Sequence, residues 1–328
     1  MQTLENPFRK VGIEIGLDAV RAPSVNAAAP RALLAKCPVH GVTPMMSALG
    51  LNIKDERGRM GLGSFKALGA AYVIAHEAQA GSLEGRTYIT ASAGNHGLSV
   101  AAGAKVFGAK AVIYLSETVP SDFADRLRAK GADVVIEGAD YEASMAAAQK
   151  AAADNGWTLL SDSSWEGYFD LPHRLMEGYL AMAAECTEQM EPPSHIFLQA
   201  GVGGLAGACA ALFRDVWGDV PIITVVEPEF APALYDSIAA GEFVTAKGPV
   251  SDMGRLDCKE ASLIALKGLS HDADRFALIS EEEASDVLPK LAEVGLASST
   301  SGAAGIAAAL LSDLPEDARV LCILSEGE

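Results

Sequence analysis

The order in which two kinds of segment repeat along this 328-residue chain fixes its architecture. Short runs of β-branched and other apolar residues alternate with alanine-rich stretches of helical spacing. A strand that repeatedly gives way to a helix builds a parallel sheet with crossover helices. Strands are predicted at 52–54, 87–90, 111–115, 134–136, 158–160, 196–199, 222–226 and 320–324. Helices are predicted at 65–79, 96–107, 122–130, 141–154, 173–190, 205–216, 281–293 and 302–311. Phe107-Gly108, Lys130-Gly131 and Asn155-Gly156 supply glycines where a helix must stop. The closely spaced units between 81 and 160 predict a small domain inserted into a larger one made of 1–80 and 161–328. Residues 2–38 are less regular and are expected to wrap the larger domain.

Composition narrows the partners. Half of the residues are hydrophobic and 21% are charged, so a chain of this length buries a sizeable core. A net charge of −18 excludes a nucleic-acid or anionic-membrane partner, because no basic patch exists to meet phosphates. An anionic ligand must therefore be held by local amides. No apolar run reaches the roughly 18–20 residues of a membrane span, and the start lacks the charged-then-apolar order of a signal sequence. The expected location is the cytosol. Cys37, Cys186, Cys209, Cys258 and Cys322 are scattered and odd in number, which indicates neither a disulfide framework nor a metal site.

Three glycine-rich turns carry the chemistry. The first, Gly61-Leu62-Gly63-Ser64-Phe65-Lys66-Ala67-Leu68-Gly69, brings Lys66 to a helix start among small apolar neighbours, which are expected to desolvate the amine and lower its pKa. The second, Ser92-Ala93-Gly94-Asn95-His96-Gly97, leaves a strand for a helix. Taken alone it reads as a capped helix, with Ser92 or Asn95 satisfying free N–H groups. The third, Gly201-Val202-Gly203-Gly204-Leu205-Ala206-Gly207, follows the strand at 196–199. It reads equally as a dinucleotide loop with Glu227 as the ribose-binding acid. A lysine able to form a Schiff base, together with backbone amides able to hold a phosphate, indicates pyridoxal 5'-phosphate as cofactor. The dinucleotide reading explains the third turn only.

With these turns in place, the chain resembles the fold type II pyridoxal phosphate enzymes, the group of tryptophan synthase β and the serine and threonine dehydratases. Within that group it is most similar to the diaminopropionate ammonia-lyases. The likeness rests on Asn6-Pro7, Thr43-Pro44, Lys54-Asp55-Glu56 through Lys66, and Ala91 through Gly97. It continues in Asp162-Ser163-Ser164-Trp165-Glu166-Gly167-Tyr168, the turn from Gln199, Gly254-Arg255-Leu256-Asp257-Cys258, Ser301-Gly302-Ala303-Ala304-Gly305 and Leu324-Ser325-Glu326-Gly327. The Trp-Glu-Gly-Tyr segment separates this family from ordinary dehydratases.

The resemblance implies two open, mostly parallel sheets with flanking helices, a cofactor between the domains, and a homodimer. It makes Lys66 the Schiff-base lysine and the base at Cα, with Phe65 beside the cofactor and Asn95 as partner of its ring oxygen. Gly201, Val202, Gly203, Gly204 and Leu205 become the phosphate cradle. Ser325 becomes the partner of the pyridine nitrogen, with Ser301 as the second choice. A hydroxyl there favours quick β-elimination. Ser92, Ala93, Gly94, Asn95 and His96 are expected to receive the carboxylate of a small amino-acid substrate. Asp162, a turn or N-cap residue when read alone, is expected to hold a β-ammonium leaving group. Ala93 stands where the family usually has an aspartate, and Thr300-Ser301-Gly302 where it commonly has Glu-Ser-Gly. The implied activity is β-elimination from 2,3-diaminopropionate to pyruvate and ammonia. The alternatives are a serine or threonine dehydratase, a β-replacing enzyme, a nucleotide-binding oxidoreductase, and a cofactor-binding protein without turnover.

Overall fold

The computed structural model describes residues 1–328. Its strands are β1 (Gln2–Glu5), β2 (Met45–Ala48), β3 (Leu51–Asp55), β4 (Thr87–Ala91), β5 (Lys110–Leu115), β6 (Asp133–Ile136), β7 (Thr158–Leu159), β8 (His195–Gln199), β9 (Ile222–Pro228), β10 (Arg275–Ile279) and β11 (Val320–Leu324). The first six helices are α1 (Ala28–Leu34), α2 (Lys66–Ala78), α3 (Asn95–Val106), α4 (Ser121–Ala129), α5 (Tyr141–Asn155) and α6 (Asp170–Gln189). The other six are α7 (Gly204–Trp217), α8 (Ala233–Ala240), α9 (Leu263–Asp272), α10 (Glu281–Ser285), α11 (Leu288–Glu293) and α12 (Thr300–Leu311).

Two sheets result. The seven-stranded sheet runs β1-β10-β9-β8-β11-β3-β2, and only its two edge strands are antiparallel to their neighbours. The four-stranded sheet runs β6-β5-β4-β7, is parallel throughout, and takes all its strands from between Thr87 and Leu159. β4 and β11 are buried along their whole length, as parallel strands covered by helices on both faces must be. One continuous apolar cluster includes Tyr88 and Ile113 from the smaller sheet and Leu198, Val225 and Ile323 from the larger, so the two sheets share a core.

Helices α2 and α6 make the central contact, and glycines set its distance. A Cβ on Gly178 would lie 2.6 Å from the Leu68 carbonyl oxygen, and one on Gly69 would lie 2.8 Å from the Tyr179 ring. The backbones therefore approach closely, which brings Tyr179 of α6 beside the start of α2. The segment between β3 and α2 is anchored by a buried ion cluster. Arg59 Nε donates to Glu56 at 2.7 Å and its Nη2 to Glu185 at 2.7 Å, while Lys54 Nζ lies 2.6 Å from the same Glu185 carboxylate. Buried charges persist when each is paired and hydrogen-bonded, and Thr43 and Gln189 complete this set.

Three strands and three helices lie outside the sequence expectation: β1, β2 and β10, and α1, α8 and α9. Of residues 2–38, Gln2–Glu5 form β1 at the edge of the large sheet, paired on β10, and α1 packs against α2 and α6. The single helix expected at 281–293 is instead two. The Ser280 hydroxyl accepts from the Glu283 N–H and the Glu283 carboxylate accepts from the Ser280 N–H, which starts α10 with a capping box. Pro289 has no N–H to continue that helix, and it stands in the first turn of α11.

Candidate active site

The carboxyl ends of five parallel strands lead into the residues that the sequence singled out. Lys66 follows β3, the turn from Ser92 follows β4, Asp162 follows β7, the turn from Gly201 follows β8, and Ser325 follows β11. Open α/β sheets place ligands there.

Lys66 opens α2, and its Nζ is paired with the Asp162 carboxylate. The ammonium also lies 5.3 Å over the Phe65 ring, which is itself buried and edge-on to Tyr179 at 4.9 Å. The expected lowering of the lysine pKa is not what this arrangement produces. Burial does push it down, but the charge and hydrogen bond of Asp162 pull it up, and the amine is held above its usual range. For Asp162 itself burial pulls upward, yet the Lys66 ammonium holds the carboxyl far below the usual carboxylate range. The pair is therefore ionic, and a neutral lysine base requires that Asp162 be engaged elsewhere.

Asp162 owes its position to a small hairpin. Trp165 bridges to Tyr168 across a turn in which Gly167 has φ +81°, and the two rings stack at 4.5 Å. The Tyr168 hydroxyl donates to the Leu159 carbonyl at 2.9 Å and accepts from the Ser161 N–H at 3.1 Å. One side chain thus clamps the backbone on the N-terminal side of Asp162.

At the second turn, the Ser92 hydroxyl accepts from the N–H groups of Gly94 at 3.3 Å and Gly97 at 3.1 Å, so Ser92 serves as a helix cap. Ala93 is exposed, and Gly94 faces the side chain of Arg255. Asn95 donates from its side-chain amide to Glu326 at 2.5 Å. His96 departs from the expected substrate contact: its ring is buried, and its Nε2 meets the Leu160 carbonyl at 2.7 Å. Since that carbonyl only accepts, Nε2 carries the proton and Nδ1 faces inward without a partner. Burial lowers the His96 pKa and keeps the ring neutral.

The third turn is shaped for an anion. No backbone hydrogen bond within the chain uses the N–H groups of Gly203, Gly204 or Leu205 at the start of α7. Gly203 has φ +92°, and a Cβ there would lie 2.9 Å from Ala265 Cβ. A Cβ on Gly201 would lie 3.0 Å from the Cys258 sulfur, and the Val202 N–H points to that same thiol, which burial pushes up to about 12. Glu227, the acid that a dinucleotide site requires, is committed elsewhere. Its two carboxylate oxygens accept from the N–H groups of Leu234 at 2.8 Å and Tyr235 at 2.7 Å, where they cap α8. The nucleotide reading thereby loses its ribose partner.

Ser325 is buried beyond the end of β11; its carbonyl accepts from the Phe65 N–H at 3.1 Å, which ties it to the lysine turn. Ser301, the second choice, already accepts from the Arg255 N–H at 3.2 Å. Arg255 and Glu326, which carry no role in the sequence, join this site. Glu326 is 4% exposed and gathers Asn95, the Ser299 hydroxyl and Arg255, the last at 3.2 Å. Burial raises its pKa against these partners.

The residues fit a pyridoxal phosphate. Free amides at a helix start, glycines where any side chain would collide, an amine beside a carboxylate, and an asparagine beyond the neighbouring strand match the parts of that molecule. A family profile described as pyridoxal-phosphate dependent enzyme matches residues 36–326. The diaminopropionate ammonia-lyase of Salmonella typhimurium is 33% identical over 260 residues, covering 70% of this chain and 64% of that protein. The protein of the same name from Escherichia coli strain K12 is 30% identical over 262 residues, covering 73% of this chain and 66% of that one. This chain thus spans about two thirds of the length of these curated relatives. The crystal structure of the Escherichia coli diaminopropionate ammonia lyase with an aminoacrylate-PLP azomethine reaction intermediate superposes with a TM-score of 0.89 at 27% identity, covering 100% of this chain and 94% of that one. With glycines, amides and lysine arranged as this cofactor requires, and the match extending over most of its length, the chain belongs to the pyridoxal-phosphate dependent enzymes.

Proposed function

We propose that this protein is a carbon–nitrogen lyase that eliminates the β-substituent of a small amino acid, with 2,3-diaminopropionate as the leading substrate. The observation that carries the reading is the contact between Lys66 and Asp162: a proton-accepting amine and a carboxylate suited to a cationic leaving group occupy one point. Bound pyridoxal phosphate supplies the electron sink that makes the Cα proton removable. Gly203, Gly204 and Leu205 hold its phosphate through their amides, Asn95 meets its ring oxygen, and Ser325 its ring nitrogen. The turn from Ser92 to Asn95 orients the substrate carboxylate. Asp162 would turn from Lys66 to the incoming β-ammonium; Lys66 Nζ, having released its own proton to water, would then take the one at Cα. The Cβ–N bond breaks, ammonia departs, and the released aminoacrylate takes up water to give pyruvate and a second ammonia.

The similarity to diaminopropionate ammonia-lyases supports this substrate over serine or threonine, and so does the presence of a carboxylate where a hydroxyl leaving group would need a proton donor. Residues 81–160 as a small inserted domain, a homodimer and a cytosolic setting complete the proposal. Keto-acid release should be measured from L-2,3-diaminopropionate, L-serine, L-threonine and other β-substituted amino acids. Faster release from serine or threonine would make the protein a dehydratase. Borohydride reduction followed by peptide mapping should place the pyridoxyl group on Lys66; label on another lysine would overturn the roles given to the whole site.

A further inference from the structure

Tyr179 is a buried polar group for which the roles above leave no task. It lies in α6 at the glycine-mediated contact with α2, is 1% exposed, and its hydroxyl has no hydrogen-bond partner within the chain. A phenol withdrawn from water without a partner costs the fold free energy, so its retention calls for an acceptor. The direction of the ring says where that acceptor sits. One ring edge, at Cε2, is 3.7 Å from the Cβ position of Gly204, and the backbone oxygen of Asp162 is 3.8 Å from that same position. The other edge packs at Gly69, and the ring meets Phe65 edge-on. The hydroxyl carbon joins these two edges, so the O–H lies between Gly69 of α2 and the start of α7, and of these two neighbours only the start of α7 has free amides.

We propose that the Tyr179 hydroxyl is a cofactor-binding donor to the phosphate, the one side-chain donor in a cradle otherwise made of backbone amides. The inference rests on reading the turn from Gly201 to Leu205 as that cradle. Burial pushes the phenol well above its ordinary range, so it remains a neutral donor throughout the working pH range, and an anionic oxygen is the acceptor it matches best. In a chain of net charge −18, a further neutral donor strengthens the hold on an anion without needing a basic patch.

The test compares wild type with Tyr179→Phe, which keeps the ring and its packing. Cofactor-free protein is titrated with pyridoxal 5'-phosphate and, separately, with pyridoxal, and binding is followed by visible absorbance. Tyr179→Phe should weaken pyridoxal 5'-phosphate about tenfold or more, the usual scale for a hydrogen bond to a charged group, and leave pyridoxal unchanged. The 31P resonance of the bound cofactor should shift. The cofactor-free variant should melt no lower than wild type, since it loses only an unpaired hydroxyl. Equal weakening of both compounds would overturn the proposal, because the hydroxyl would then act on the amine or the ring. Unchanged affinity and an unmoved 31P resonance would overturn it as well. Gly203→Asp tests the cradle by itself: intact pyridoxal 5'-phosphate affinity in that variant would overturn the cradle reading and this proposal with it, whereas weakened affinity there beside unchanged affinity in Tyr179→Phe would overturn the donor alone.

Discussion

The side-chain amide of Asn95 donates to the Glu326 carboxylate across 2.5 Å, joining the helix that leaves the small sheet to the residue beyond the last strand of the large one. A carboxylate only accepts, so this bond fixes which end of the Asn95 amide is nitrogen. The second N–H remains available for the proposed contact with the cofactor ring oxygen.

Glu326→Gln removes that constraint, because a glutamine offers either end of its own amide and lets Asn95 turn over. Cofactor affinity should fall by about 1–3 kcal/mol, and the visible band of the loaded protein should move. An unchanged band and affinity would mean that Glu326 serves only to hold Arg255 and Ser299.

Tyr168 tests whether Asp162 is held in place or merely present. Tyr168→Phe strips both the donor to Leu159 and the acceptor for Ser161, at a cost of about 1–3 kcal/mol in unfolding free energy. Asp162 should then lose its fixed position, and kcat for diaminopropionate should drop while cofactor affinity stays. Loss of stability without loss of kcat would show that the clamp does not reach the carboxylate.

Glu227 gives a prediction in pH. Burial pushes its carboxyl up to about 8 against the pull of the two α8 amides, so the folded chain favours the protonated form. Stability from this group is fully present below the ordinary glutamate range and is lost as pH rises from about 4.5 to about 8. Glu227→Gln sets an NH₂ against a backbone N–H and should cost about 1–3 kcal/mol at pH 5. It cannot titrate, so urea unfolding should show the gap to wild type narrowing toward pH 8. A gap that widens with pH would mean that the carboxylate form is the one the helix start prefers.

How much of this was legible in the sequence depends on whether a residue acts through its neighbours in the chain or through space. Lys66, Asn95 and the glycines from Gly201 lie in turns where a strand passes into a helix, and such turns announce themselves locally. Glu326, Arg255 and Tyr179 carry no local mark. Glu326 matters because β11 ends beside β3 and Ser64, and Tyr179 because Gly69 and Gly178 let two helices approach. The lysine pKa departs from its sequence expectation for a related reason: its apolar flank is visible in the sequence, whereas Asp162, 96 residues away, arrives only with the fold. Strand β1 was missed because an edge strand that leaves Gln2, Thr3 and Glu5 exposed has no apolar alternation to read.

The last prediction is stereochemical. Lys66 and Asp162 touch, so the two acid–base groups of the proposed reaction stand together. Across the substrate, the turn that is proposed to hold its carboxylate offers Ser92, Ala93, Gly94 and Asn95, none of which titrates, and His96 is turned inward onto Leu160. With the carboxylate anchored at that turn, inverting the Cα centre moves its proton away from Lys66. The protein should therefore act on L-2,3-diaminopropionate and be much poorer with the D form. Ala93 is exposed and has room for a larger side chain, so Ala93→Asp should add a base on the far side and raise activity on the D form specifically. General-base catalysis is typically worth about 10²- to 10⁴-fold, which a keto-acid assay resolves easily. Equal kcat/KM for the two enantiomers in the wild type would show that Asp162, freed from Lys66, serves both faces.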